Sequence, residues 1–293
     1  MLNKTLVILA AGMGSRFGGL KQMEKIDGRG HILLDYSLYD AISAGFSRAL
    51  FIIRKEMKDD FVSIIRTRRW FKDVKIDFAF QELDDLPKGF SLPKNRTKPW
   101  GTAHAISCLL GKVDTPFGVI NADDFYGRDA IEKIAKNLDS DCNLLVAYKL
   151  KNALSKNGGV SRGICFVKDA YLAGIVETSG IKPEDGKITD REGRELLADT
   201  PVSMNLWGLS PEIIEESRKR FSSFLRENLV SNPTSCEYYL PSLVSELIEE
   251  KKLRVRLMET ESTWQGITYK KDKSEVALAL EKMVDKGLYP LNL

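Results

Sequence analysis

The chain has no CxxC pair. Its four cysteines, Cys108, Cys142, Cys165 and Cys236, are scattered, so neither a zinc motif nor a dithiol redox motif is signalled. Each sits among apolar neighbours and reads as a small core residue. Free thiols fit a reducing compartment. No charge of one sign prevails either. The 44 basic and 41 acidic residues leave a net +3, which points to neither a nucleic-acid nor a membrane partner. The cluster Arg66, Arg68, Arg69 therefore reads as a solvated helix face. The apolar run TLVILAA near the N-terminus is too short for a signal peptide and far too short to span a bilayer, so a cytoplasmic location is expected. Internal repeats and low-complexity tracts are missing, and no β-helix repeat forces a trimer. A homo-oligomer is left open.

What is present is alternation. The runs TLVILAA, RALFIIR, KIDFAFQ, TPFGVINADD and CNLLVAYKL predict strands. Helical spacing recurs between them at 35–46, 56–68, 102–111 and 129–138. This order predicts an α/β fold with a Rossmann-like, mostly parallel sheet covered by helices on both faces. The second half differs. Gly158, Gly159, Gly163 and Gly174 punctuate ICFV and LAGIVE, which could pair as a hairpin. TPVSMNLWGLS and LRVRLMET predict further strands, and helices are expected at 211–227, 238–251 and 272–286. The reading is one domain over residues 1–293, with 1–150 as one half and 151–293 as a substrate-side half.

Directly after the first strand stands LAAGMGSRFGG, residues 9–19, with Lys21 two positions on. Without a Cβ, several backbone N–H groups can converge on phosphate oxygens. Gly12, Gly14, Gly18 and Gly19 give that freedom, and Arg16 and Lys21 add positive charge. A Walker A loop, GxxxxGK[ST], is absent. The dinucleotide fingerprint GxGxxG fails by one residue, and strand two ends in Arg54 and Lys55 where that fingerprint wants an acid. A tight strand-to-helix turn with incidental charges would explain the glycines alone. The two cations favour a nucleotide triphosphate.

Strand four ends in Asn121-Ala122-Asp123-Asp124. In a parallel sheet the carboxyl ends of strands one and four share an edge, so Asp123 is expected beside the glycine loop. A carboxylate next to phosphates is how Mg²⁺ is held. An Asx turn capping the next helix accounts for one aspartate, and Asp124 is assigned that structural part.

Together, L-A-A-G-M-G-S-R-F, Lys21, G101-T-A-H and N-A-D-D resemble the nucleoside-triphosphate:sugar-1-phosphate nucleotidylyltransferases. The resemblance implies the nucleotide-diphospho-sugar transferase fold, with 1–150 binding the nucleotide and 151–293 the acceptor. It implies that Ala10, Ala11 and Gly12 line base and ribose. Gly14, Ser15 and Arg16 would hold the β and γ phosphates, and Lys21 would bridge phosphates, making Arg16 and Lys21 the catalytic cations. It implies that Gln81 reads the edge of a pyrimidine, that Gly101 and Thr102 close on the same base, and that Asp123 ligates Mg²⁺. Gly163, Glu177 and Asn205 fall where the family contacts the sugar. The N-acetylglucosamine-1-phosphate uridylyltransferases carry a comparable G-T-x-H, which favours UTP.

The chain departs from the family's pattern in two places. The late turn that normally carries a second metal ligand reads W264-Q-G-I-T-Y269 and holds no carboxylate, so Thr268, Asp124 or a water is left for that position. The insert before Gly101 carries Lys94, Arg96 and Lys98, as a lid over the triphosphate or as a solvated loop. His104 reads as a packing or capping residue, and His31 as a turn residue without chemistry. Trp100, Trp207 and Trp264 flank the pocket motifs, which leaves core packing or a stacked acceptor open. The expected activity is Mg²⁺-dependent transfer of a nucleotidyl group, from UTP or another pyrimidine nucleotide, to a sugar 1-phosphate with release of pyrophosphate. Two alternatives stand beside it: cytidylyl transfer to a phosphorylated alcohol such as phosphocholine, and an inactive nucleotide-binding regulatory homologue. A glycosyltransferase would want a DxD motif, which N-A-D-D-F lacks.

Overall fold

The structure, a computed structural model, describes residues 4–12, 24–184, 186–269 and 271–293. Strand β1 (Lys4–Leu9) is apolar through Leu6, Val7 and Ile8, all buried, because both of its faces are covered. Helix α1 (Leu33–Ser43) leads to β2 (Phe46–Ile53), and α2 (Lys58–Ile65) leads to β3 (Lys75–Phe80). These three strands pair in parallel. After the short helix α3 (Thr102–Ser107), β4 (Phe117–Asn121) joins the other side of β1, also in parallel. The chain thus reverses its direction of travel across the sheet between β1 and β4. Such a switch point leaves a crevice at the carboxyl ends of the two strands. The last pair in register is Leu9 with Asn121, and Ala122 N–H still reaches Leu9 O at 3.0 Å. Residues 10–12 and 122–124 therefore leave the sheet side by side.

The strand β5 (Asp124–Phe125) is followed by α4 (Arg128–Asn137) and β6 (Asn143–Lys149). In α4, Ala130, Ile131, Ile134 and Ala135 form one buried stripe, the spacing a sheet-packed helix needs. The expected hairpin is β7 (Val160–Lys168) with β8 (Tyr171–Glu184). Two short strands, β9 (Lys187–Thr189) and β10 (Glu195–Leu196), extend it. Sequence reading passed over both, because KITDREGREL is polar and too short to show alternation. Next, β11 (Pro201–Leu209) runs antiparallel between β4 and β6. Then come α5 (Glu212–Asn228), α6 (Leu240–Glu249) and β12 (Val255–Thr260), the last parallel to β6. The chain closes with β13 (Gln265–Gly266), paired to β5, and α7 (Asp272–Asp285).

Among the described residues, eleven strands form one mixed sheet in the order β10-β9-β8-β12-β6-β11-β4-β1-β2-β3, with β7 against both β11 and β8. One apolar core lies under α1, α2 and α4 around Leu34, Phe61 and Ile131. A second lies under α3, α5 and α6 around Ile106, Phe221 and Leu243, and a smaller third joins α1 to α7 around Tyr36, Phe125 and Leu280. The fold is the expected α/β architecture with helices on both faces. No helix among the described residues is long and apolar enough to cross a membrane.

Two surface readings are corrected. The insert before Gly101 is neither a free lid nor a solvated loop at Arg96. That guanidinium is buried, stacks 3.4 Å from the Trp100 ring, and donates to Cys236 O at 2.6 Å and Pro233 O at 2.9 Å. It pins the insert to the segment before α6. Lys98 adds an ion pair to Glu237 at 2.5 Å. Arg68, assigned to a solvated face, instead donates to Gly30 O at 2.9 Å and lies 3.3 Å from the buried Asp35 carboxylate.

Candidate active site

A cleft of about 660 Å³ opens beyond the carboxyl end of β4. Five residues singled out from separate motifs line it together: Thr102, Asp123, Gly163, Glu177 and Asn205. Each arrives on a different element. Thr102 opens α3. Its hydroxyl accepts Leu240 N–H at 2.8 Å, which ties α3 to the start of α6. Asp123 lies just past β4, half-buried. Its neighbour Asp124 is buried, and its Oδ2 accepts from Asn121 Nδ2 at 2.7 Å and Tyr126 Oη at 3.4 Å. That makes Asp124 a structural anchor which also lines the cleft.

Gly163 and Glu177 face each other across the β7–β8 hairpin. A Cβ on residue 163 would stand 2.7 Å from Ile175 Cγ2, so only glycine leaves this side of the cleft open. Desolvation raises the Glu177 pKa above its ordinary value, and the neighbouring Arg162 charge opposes that rise. Asn205 sits inside β11, where the register against β6 slips between Ser203 and Trp207. Its φ is +60°, a conformation asparagine tolerates better than most residues. The bulge turns Asn205 out of the ladder, and its Oδ1 takes Trp207 Nε1–H at 3.3 Å. Asn205 falls inside the predicted strand TPVSMNLWGLS, and the structure adds a bulge there that the sequence pattern does not show.

The nucleotide-side residues divide. Ala10 and Ala11 are buried, Gly12 is exposed, and Ala10 N–H is bound to Ile52 O at 2.9 Å. Gly14, Ser15, Arg16 and Lys21 lie outside the described residues. Gln81 is buried just past β3, and its Nε2 donates to Gly101 O at 2.8 Å. Gln81 and Gly101 are therefore in contact, as members of one pocket wall must be. They do not line the 660 Å³ cleft, which holds Thr102 from the same turn.

The late turn comes back to this place through the β5–β13 pairing, which sets Gly266 opposite Asp124. Trp264, Ile267 and Thr268 consequently line the cleft. The nearest carboxylate in sequence, Asp272, is committed elsewhere. It accepts Thr268 N–H at 2.9 Å, Tyr269 N–H at 2.7 Å, and Ser155 Oγ and Asn157 Nδ2 at 2.8 Å each. Burial opposes its charge, yet these donors hold its pKa below the ordinary value. Of the three tryptophans, Trp100 and Trp207 are fully buried and only Trp264 reaches the cleft.

Sequence reading missed Arg162, Ser203 and Tyr239, which also line the cleft. Arg162 is buried over the Trp264 ring at 4.5 Å and donates to Ala153 O at 2.7 Å. Burial lowers its pKa to about 10. Its place beside Gly163 was the available signal. His31 is structural: Nδ1 lies 2.7 Å from Asp27 Oδ2, and Nε2 accepts Leu293 N–H at 3.3 Å.

The model of the nucleotidyl transferase family matches residues 5–281. Comparison with curated proteins finds no match. Among solved structures, UDP-glucose pyrophosphorylase complexed with UDP-glucose superposes with a TM-score of 0.60, over 96% of this chain and 99% of that one, at 16% identity. At that identity the likeness speaks for the fold.

Proposed function

The chain belongs to the nucleotidyl transferase family and is a nucleotidyltransferase; from that premise we propose that it joins a pyrimidine nucleoside triphosphate, UTP by preference, to a sugar 1-phosphate and releases pyrophosphate. The observation that carries this reading is the meeting of Thr102, Asp123, Gly163, Glu177 and Asn205 in one cleft at the β1/β4 switch point. An oxygen of the acceptor's phosphate attacks the α-phosphorus. The new P–O bond forms as the bridging bond to the β-phosphate breaks, and pyrophosphate leaves in line. The acceptor phosphate is already ionised, so no general base is required. The protein's task is positioning and charge stabilisation.

Ala10, Ala11 and Gly12 lie at the end of β1, where base and ribose would rest, with Gln81 and Gly101 at the base edge. Arg16 and Lys21 take the charge of the leaving pyrophosphate. Glu177 accepts from acceptor hydroxyls, and Asn205 offers a second polar contact. The cleft's donor set, the Asp123 carboxylate with the Thr268 hydroxyl, consists of hard oxygens and fits Mg²⁺, while Asp124 holds the turn beside it. When bound there, the ion neutralises charge on the α-phosphate.

The test is pyrophosphate release with each of UTP, CTP, dTTP, ATP and GTP against a panel of phosphorylated sugars and alcohols. Release with UTP and a sugar 1-phosphate, reduced about 10²-fold in Lys21→Ala, is the expected result. Release only with CTP and a phosphorylated alcohol would replace the acceptor assignment. No release from any pair would overturn the activity. In the same assay Glu177→Gln should raise the acceptor KM about tenfold, the weight of one lost hydrogen bond to a charged group, and leave the nucleotide KM unchanged. A raised nucleotide KM instead would remove Glu177 from the acceptor side.

A further inference from the structure

A second cavity of about 530 Å³ lies between the 85–88 loop, α3 and α5, and shares no lining residue with the acceptor cleft. At its edge, one carboxylate oxygen of Asp85, one ring nitrogen of His104 and the sulfur of Cys108 all lie within 4.8 Å of one another. The set is chemically mixed, one oxygen, one nitrogen and one sulfur. His104 and Cys108 stand four residues apart at the end of α3, the spacing that puts two side chains on one helix face. Asp85 approaches from the insert, exposed to solvent. We propose that Asp85, His104 and Cys108 form a binding site for Zn²⁺, with the cavity supplying room for a water in the fourth position.

Mixed sulfur, imidazole and carboxylate ligation is the preference of this borderline-soft, tetrahedral cation, and it is unlike the all-oxygen set of the acceptor cleft. His104 is buried with its ring tilted 31° against the Phe221 ring at 4.4 Å, so packing restrains it at the site. Burial keeps the imidazole neutral, with its pKa lowered to about 4, which is the form a metal needs. Burial also keeps the Cys108 thiol protonated, with its sulfur donating to His104 O at 3.3 Å. Formation of the Zn–S bond therefore releases that proton to solvent. The charges of Arg96 and Arg218 also reach His104. Thiolate and carboxylate together cancel the charge of the cation, so these arginines face a neutral centre.

The site has an outer partner that carries it further. His104 Nδ1 lies 3.2 Å from Gln81 Nε2, the same amide nitrogen that donates to Gly101 O. With the metal on Nε2, the ring proton must sit on Nδ1, and Gln81 must then present its oxygen to it. The amide turns over and its bond to Gly101 is lost. Zinc binding thereby disturbs the turn that, on the proposed function, closes on the nucleotide base.

The site is tested by titrating Zn²⁺ into the chelator-treated full chain by calorimetry, without nucleotide, with Co²⁺ absorption as the probe for a thiolate ligand. One ion per chain is expected, with a thiolate-to-cobalt band, and an affinity lower by about 100-fold or more in both Cys108→Ala and Asp85→Asn. Asp85 is exposed on a loop, so the second variant keeps the fold if the first does not. Absence of binding in the wild-type chain, or binding unchanged in both variants, overturns the site. In a second arm, Zn²⁺ should weaken UTP binding about fivefold or more in the wild type and not in Asp85→Asn. If Zn²⁺ binds and UTP affinity does not move, the Gln81 link is overturned. If UTP does not bind even without zinc, the nucleotide reading fails while the titration still decides the site.

Discussion

Asp123→Asn should lower the rate of pyrophosphate release by about 10²- to 10³-fold and raise the Mg²⁺ concentration needed for half the maximal rate. The substitution keeps the shape of the side chain and removes its charge. Asp123 lies in the turn after β4, half-buried in the cleft wall and outside the apolar cores, so thermal stability should change little. Asp124 is the natural control. Its carboxylate fixes Asn121 and receives the Tyr126 hydroxyl, and its backbone O accepts Ser37 Oγ at 2.9 Å. Asp124→Ala should therefore lower the melting temperature, because it leaves the half-buried Asn121 amide without its acceptor, while the Tyr126 hydroxyl keeps Met204 O at 3.1 Å. Two measurements, the Mg²⁺ dependence of rate and the melting curve, separate the two aspartates. If Asp124→Ala shifts the Mg²⁺ requirement and Asp123→Asn does not, the assignment of the two must be exchanged.

The strands of the first half, β1 to β4 and β6, were legible because burial on both faces writes near-continuous apolar runs such as FGVIN, and a parallel arrangement with crossover helices follows from their alternation. The same logic sets the carboxyl ends of strands one and four at one edge, with Asp123 beside the loop that follows β1. Other features were invisible for local reasons. The small β5–β13 pairing rests on two residues per strand and joins positions about 140 apart, so no window of sequence contains it. It is this pairing that carries Trp264 and Thr268 to the cleft. The Asn205 bulge depends on a register slip between β11 and β6, a relation between strands and not a property of either. Arg96 looked like one more exposed charge in a basic insert. Its burial is decided by the Trp100 face and the carbonyls of Pro233 and Cys236, well over a hundred residues away. The Asp85, His104 and Cys108 cluster escaped for the opposite reason. The absence of a CxxC pair argued against zinc by spacing alone, yet a helix and a distant loop can assemble three different ligands with no motif.

Gly101→Ala should be the most destabilising single substitution near the site, lowering the melting temperature by roughly 6–16 °C through a loss of about 3–4 kcal/mol. The residue has φ +98° and is the N-cap of α3. A Cβ there would lie 2.4 Å from Tyr238 O and 2.7 Å from Tyr238 N. Those atoms cannot yield cheaply: Tyr238 N–H donates to Trp100 O at 2.7 Å, and Tyr238 O accepts Ala103 N–H at 2.9 Å. Admitting the methyl group means breaking one or both bonds, at about 1 kcal/mol each, on top of the backbone strain. Gly111 separates the two costs. Its φ is +71°, but a Cβ there meets nothing within 4 Å, so Gly111→Ala should lose only the strain, about 1 kcal/mol. The Gly101 variant should also bind nucleotide more weakly than the Gly111 variant, since Gln81 holds Gly101 O and moves with it. Equal losses of stability in the two variants would mean that the Tyr238 backbone does not confine residue 101. A stable Gly101→Ala with unchanged nucleotide affinity would remove the Gln81–Gly101 turn from the nucleotide pocket altogether.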